Sequence, residues 1–472
     1  MNILFLIIAI SVIILIFYNI KLLKNKNLKT QNIQFIQTDK SSQSEIKVIK
    51  KFKIDSNINE PVIVLYPNIE LVVLKFKKDN EHYLQINDKI FGPYDNIYVF
   101  DEDFYVDEYP IYNCYVTKNK KSYVQVNNKI FGPYDYVSRL YRCGSTYWWW
   151  FIKDNKYYIQ LNDQILESYK DYYIFEVRFS CDGLKHLVGF GKDGKNYIQV
   201  NDILFGPYEL DYAEAYDVIF SEDGSKYAWK FVQNNKWYVQ VNDKTFGPYM
   251  DVSITTFSED YSKHGWAFKQ NNKWYVQINN QTFGPYQHIF CIGFSKNGVK
   301  YGWIFEQNNK CYVQINNQIF GPYSKVDYLI FSKDGSKYGW IFKKIGSEKW
   351  YVQINDKTFG PYDYTWLSNL KISDDGSLYT WQFGKDNKQY IRVNNKIFGP
   401  SDNTYYSYIK LSSSNYGWQF KKDNKYYIVI NEKIYGPYYQ SDFVLSKNNK
   451  AYIAYIQGDE LIIGFIDFLA NI

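Results

Sequence analysis

Hydrophobic and polar residues alternate along most of this chain in short runs that break at Asn, Asp and Gly, the period-two signature of half-buried strands. The stretch from Lys325 to Asp363 shows the grammar. Val326–Ser332 reads as a strand and Lys333-Asp334-Gly335-Ser336 as a turn. Lys337–Lys344 then alternates, with Tyr338, Trp340 and Phe342 on one face. Trp350–Asn355 reads as a third strand. Asn355-Asp356 turns the chain into a fourth, Lys357–Tyr362. Asn and Asp tolerate the positive φ that a two-residue hairpin turn demands.

This unit recurs. Phe-Gly-Pro-Tyr starts at Phe91, Phe131, Phe205, Phe246, Phe283, Phe320 and Phe359, with degenerate forms at Leu166, Phe398 and Tyr435. The ten starts are separated by 40, 35, 39, 41, 37, 37, 39, 39 and 37 residues. Four short antiparallel strands repeated at this period are the arithmetic of a propeller blade. No segment after residue 54 has sustained helical periodicity. The last unit supplies only three strands, Phe443–Ser446, Ala451–Tyr455 and Leu461–Ile466, while Ile46–Ile54 is strand-like and precedes the first complete unit. An amino-terminal strand that completes the last blade would remove an exposed edge. The expectation is an all-β propeller region, 46–472, of about 10–11 four-stranded repeats. One large ring, two adjacent propellers and an open curved array all satisfy that count.

The turn Phe331-Ser-Lys-Asp-Gly-Ser-Lys-Tyr-Gly-Trp340, with Phe220–Trp229 and Phe294–Trp303, resembles the F-S-P-D-G signature of TolB-type, WD-repeat-like propellers. Phe257–Trp266 and Ile372–Trp381 are looser versions. The usual Pro is Lys, Glu or Asp throughout, and the first three units lack a clear copy. The resemblance covers blade architecture over roughly residues 46–467 and implies a binding or scaffolding surface.

Ahead of the repeats, Ile3–Tyr18 is apolar except for Ser11, and Ile20 extends it. This is short but sufficient for one transmembrane helix, and no small-x-small cleavage site follows. Residues 1–20 are therefore expected to be an uncleaved single-pass anchor and 21–45 a basic juxtamembrane linker. The positive-inside tendency would hold the repeats in the cytoplasm, whereas the layout fits an exported, tethered domain, the favoured side here. Cys114, Cys143, Cys181, Cys291 and Cys311 are odd in number and sit in different repeat contexts, so no disulfide framework is implied.

Composition sharpens this picture in two ways. Tyr, Phe and Trp number 50, 33 and 13, a fifth of the chain. The net charge of +6 is concentrated in residues 21–53, where nine Lys face Asp39 and Glu45. Of the 55 basic and 49 acidic residues, 46 and 47 lie elsewhere, so the totals show no nucleic-acid-binding stripe.

Residues that recur in every unit are read as blade-building. Trp229, Trp266, Trp303, Trp340, Trp381 and Trp418 recur in the second strand as packing between blades. The recurring third-strand Gln, from Gln85 to Gln353, is expected to satisfy polar groups between blades. Gly-Pro fits an outer strand that bends away from pairing.

Departures from the pattern are the binding candidates. Trp148-Trp149-Trp150 would make a hot spot if exposed, with local repacking as the competing reading. Arg392, in place of the recurring Gln, could meet an acidic group or form a local ion pair. Asp101, Asp103 and Asp107, in an acidic loop with Glu102 and Glu108, are weak Ca²⁺ candidates without regular ligand spacing, and a solvated charge run is the favoured reading. His82, His186, His264 and His288 lack metal spacing. No G-x-S-x-G, H-E-x-x-H or P-loop motif is present. The expected function is a membrane-anchored, non-enzymatic platform for a protein or glycan partner, without cofactor. The alternatives are a surface-display repeat protein without a ligand and a hydrolase with a nonlocal channel site.

Overall fold

The computed structural model describes residues 33–34, 46–54, 59–65, 72–86, 89–98, 113–126, 129–169, 172–209, 218–366, 370–401, 406–445 and 450–468. The apolar stretch 3–20, most of the segment 21–45 and the acidic loop with Asp101, Asp103 and Asp107 lie outside the described residues. Among the described residues no helix is long and apolar enough to cross a membrane.

The strands form eleven antiparallel sheets, each a blade. Blades 1 to 10 cover residues 59–94, 96–134, 136–169, 173–208, 219–249, 251–286, 288–323, 325–362, 364–401 and 406–438. Blade 11 takes Gln440–Leu445, Lys450–Gln457 and Glu460–Asp467, and its outermost strand is Lys47–Lys53 from the other end of the chain. Blade 8 illustrates the order from centre to rim: Lys325–Phe331, Tyr338–Lys343, Trp350–Ile354, Lys357–Tyr362.

One closed ring results. The buried apolar residues fall into eleven clusters, one for each of the eleven blade-to-blade interfaces that a closed ring requires. The closing interface joins Phe52, Tyr452 and Ile463 of blade 11 to Ile63, Leu74 and Phe76 of blade 1. Two adjacent propellers and an open array are thereby replaced by a single eleven-bladed propeller. Four of the nine lysines in the basic amino-terminal segment, Lys47, Lys50, Lys51 and Lys53, lie on the exposed outer strand of blade 11. Upstream, Ile33–Gln34 pairs parallel with the outer strand of blade 9, Ile33 opposite Ile397.

One contact recurs at most interfaces. The Phe of Phe-Gly-Pro-Tyr on one outer strand meets a fully buried Trp on the second strand of the next blade. The ring centroids are 5.1 Å apart for Phe131–Trp149, 5.0 Å for Phe205–Trp229, 4.8 Å for Phe283–Trp303 and 4.9 Å for Phe320–Trp340. The Tyr of the same motif lies on the next aromatic of that strand, as in Tyr286–Phe305 at 4.3 Å. Such tilted pairs add to the apolar area each Trp removes from water.

The outer strand bulges within this motif. In blade 8 the register slips between Val352–Phe359 and Trp350–Tyr362. Gly360 has φ +123°, and a Cβ there would lie 2.9 Å from the Trp350 carbonyl oxygen, so only glycine fits. All nine Gly-Pro bonds are cis.

Turn chemistry is equally regular. The first Asn of the third hairpin takes positive φ, and its side-chain oxygen accepts the N–H that opens the second strand, as in Tyr227 to Asn242 at 2.9 Å. The inner turns are closed by Ser and Asp: Ser221 Oγ donates to Asp223 at 2.7 Å and accepts from the Lys226 N–H at 2.8 Å. Hydrogen bonding from Ser221 holds the Asp223 carboxyl down at about 2.

Candidate functional site

Trp149 is fully buried opposite Gln160, the register that Trp229 has with Gln240. It is a seventh member of the recurring Trp set. Trp148 is buried on the opposite side, towards blade 4, where its indole N–H donates to the Val177 carbonyl at 2.9 Å. Trp150 is partly buried between Tyr136 and Tyr157. The triplet serves two blade interfaces at once because consecutive strand residues face opposite sides.

Arg392 stands where other blades carry Gln and does the same work. Its Nε donates to the Asn394 carbonyl at 2.8 Å, just as Gln240 Nε2 donates to Asn242 at 2.6 Å and Gln314 Nε2 to Asn316 at 2.9 Å. Arg392 is 4% exposed, and its guanidinium lies over the rings of Phe359, at 4.4 Å, and Trp381, at 5.5 Å. No carboxylate pairs with it among the described residues. The recurring Gln mostly acts inside its own blade, on the hairpin carbonyl. Gln314 also accepts across an interface, from the Tyr286 hydroxyl at 3.3 Å.

The wall around the axis is built by the innermost strands, and here aromatic residues are left in water. Tyr98, Tyr136, Phe290 and Tyr328 are 54%, 50%, 47% and 40% exposed. Phe290 and Tyr328 occupy the bulge of the inner strand in adjacent blades, where pairing skips from Ile289 to Cys291 and from Asp327 to Leu329. Phe175 holds the same bulge in blade 4. Bulges re-aim side chains and gather at functional rims. Tyr328 has φ +58°, a conformation that a bulky side chain adopts at a cost of about 1–3 kcal/mol. His288 is 4.7 Å from Phe290 and 6.0 Å from Trp274, which extends the aromatic row outward. The signal for these residues in the sequence is an aromatic shortly after Phe-Gly-Pro-Tyr, at the fourth or fifth place for Tyr98, Phe290 and Tyr328 and at the second for Tyr136, and it is masked by the abundance of aromatics.

Lysines cap inner-strand carbonyls across three interfaces: Lys75 to Ile97 at 2.7 Å, Lys371 to Ile409 at 2.8 Å, and Lys410 to Phe443. Between blades 3 and 4, Arg178 lies 4.1 Å over the Tyr141 ring and 3.3 Å from Glu176. Burial raises the Glu176 carboxyl while Arg178 opposes that shift.

The absence of a disulfide framework needs correcting. Cys143 and Cys181 are bonded, with Cα atoms 4.7 Å apart, because consecutive inner turns touch around the ring. The carboxylate of Glu222, one turn further on, lies within 4.8 Å of both sulfurs. Cys114, Cys291 and Cys311 form no disulfide, and burial pushes Cys291 up to about 11.

No family model matches this chain, and no curated protein does. Among solved structures it is similar to a chain titled as a crystal structure of the eukaryotic initiation factor, at 11% identity and TM-score 0.39, covering 64% of this chain and 89% of that one. A structure of the Dos1 propeller is similar at 16% identity and TM-score 0.32, covering 64% and 94%.

Proposed function

We propose that the protein is a membrane-tethered, non-enzymatic propeller of the TolB or WD-repeat type whose inner wall binds a protein or glycan partner. The observation that carries this reading is Tyr328, held at positive φ on a bulge and partly exposed, with Phe290 exposed on the inner-strand bulge of the adjacent blade 7. A position used only for packing has no call for a strained, exposed aromatic. Aromatic faces give affinity to sugar rings and to protein side chains without a covalent step. The anchor is assigned to residues 3–20, with the ring exported.

The test places a photo-crosslinking amino acid at His288, exposed beside Phe290, in intact cells and screens the purified full chain on a glycan array. Phe290→Ala with Tyr328→Ala is expected to weaken crosslinked or glycan-bound signal at least about tenfold, with the melting temperature kept within a degree or two. Unchanged capture by the double variant would sink the inner-wall reading. Alkaline carbonate extraction tests the anchor: recovery of the full chain in the soluble fraction would overturn it.

A further inference from the structure

The interface between blades 3 and 4 is built differently from its neighbours. From blade 2 to blade 10, every other interface sets the motif Phe of one blade against the Trp of the next. Here the motif has become Leu-Glu-Ser-Tyr, and Leu166 at the Phe place is exposed. Opposite it, Val188 pairs with Gln199 where a Trp would stand. Both halves of the contact are missing from this seam, as they are where blade 11 closes on blade 1.

Trp148, reaching across from blade 3, packs against Val177 and Val188 in this seam, and a second contact lies on the inner turns. Around the ring these turns contact one another through one residue per blade: Lys296 with Glu259 at 3.1 Å, and Lys333 with Asp374 at 3.0 Å. Backbone bonds accompany them, from the Asp260 N–H to Lys296 at 2.9 Å and from the Asp334 N–H to Asp374 at 3.1 Å. Cys181 belongs to this belt through its N–H, 2.7 Å from the Glu222 carbonyl. On its other side the Thr146 hydroxyl donates to the Cys181 carbonyl at 2.5 Å, and the covalent contact to Cys143 follows. At this seam a covalent bond, which water and salt do not weaken, stands where exposed ion pairs lie at the seams of blades 6–7 and 8–9.

We propose that the Cys143–Cys181 bond is a permanent interblade staple, made on the oxidising side of a membrane, that secures a seam without the Phe–Trp contact. It requires export of the ring but no ligand. In its formation two S–H bonds break and one S–S bond forms. Two electrons and two protons pass to the disulfide of a thiol oxidoreductase, which leaves as the dithiol. The Glu222 carboxylate beside the sulfurs repels the incoming thiolate that would reopen the bond by exchange.

The test uses full-length protein taken from its own cells directly into a thiol-blocking reagent without reductant. Peptide mass mapping is expected to show 143 and 181 unlabelled and joined, lighter by two hydrogens, while the other three cysteines carry label once the chain is unfolded. Hydrogen exchange then compares oxidised and reduced protein. Reduction is expected to speed exchange in residues 136–208 on the order of a hundredfold, leaving 251–362 unchanged, and C143S/C181S should match the reduced protein. Label on all five cysteines overturns the proposal, as does a reduced pair holding zinc with Glu222. Equal exchange in both forms overturns the staple's role. Cysteine mapping reads the same whichever partner the inner wall binds, and carbonate extraction reports on the anchor separately.

Discussion

Trp303→Ala measures how the ring is held. The indole is wholly buried, with Phe283 of the preceding blade at 4.8 Å and Tyr286 at 6.4 Å. Truncating such a side chain costs about 3–5 kcal/mol, from lost burial and an incompletely collapsed cavity. The consequence for melting depends on the size of the cooperative unit. A ring of about 420 residues unfolding as one has an entropy of roughly 0.9 kcal/mol/K, so its melting temperature falls by about 3–6 °C. A single blade melting alone has about a tenth of that entropy, and it would detach as an early transition displaced by tens of degrees. Calorimetry of the full chain distinguishes the two. The closed ring predicts one transition and the small shift. A separate low-temperature transition carrying about a tenth of the enthalpy would refute closure as a cooperative constraint. A shift below about 1 °C would refute the weight given to the Phe–Trp contact. Ile319→Ala, on an exposed outer-strand residue, is the control and should change stability by less than about 0.5 kcal/mol.

Three other perturbations follow from the geometry. Arg392→Gln restores the residue of the other blades and removes a buried charge that no carboxylate neutralises among the described residues, so it should stabilise by about 1 kcal/mol, read by urea unfolding; a loss of similar size would mean the guanidinium is held by more than rings and carbonyls. Gly360→Ala adds a clash with the Trp350 carbonyl to the backbone penalty of a positive φ and should cost about 3 kcal/mol, whereas Gly346→Ala, at φ +75° with no neighbour near its Cβ, should cost only the backbone penalty of about 1 kcal/mol by the same assay. Asp223, held down at about 2, favours the folded state fully above the ordinary carboxylate range and loses that contribution as pH falls from about 4 towards 2. Asp223→Asn should therefore be less stable than the parent at pH 7, with the gap closing on acidification; a gap that is flat with pH would contradict the turn's role.

The repeat was legible because its determinants are local. Hairpin Asn residues, the inner Ser-Asp turn and the alternation in Lys337–Lys344 each specify their own few residues, and all three appear where the sequence places them. Blade completion by the amino-terminal strand was legible as well, since a three-stranded last unit leaves one vacancy. The count of blades per ring was not, because it accumulates from small packing angles at eleven interfaces. Trp149 was hidden by its identical neighbours, although it stands eleven residues before Gln160 as Trp229 does before Gln240. The Cys143–Cys181 bond was hidden for another reason: blade 3 has a shortened inner turn, so the two cysteines fall out of repeat register while their turns touch.

Lys47–Lys53 has to wait. Its partner strand lies about as far along the chain as Lys51 is from Glu460, a separation of 409 residues. At ordinary synthesis rates that is roughly 20–80 s during which the strand has no partner. An apolar edge left open so long would recruit other chains. The alternation of lysines through Val48, Ile49 and Phe52 instead gives the waiting strand a charge that repels copies of itself. The same lysines that lend the chain its net charge thus guard the ring's last joint until it can close.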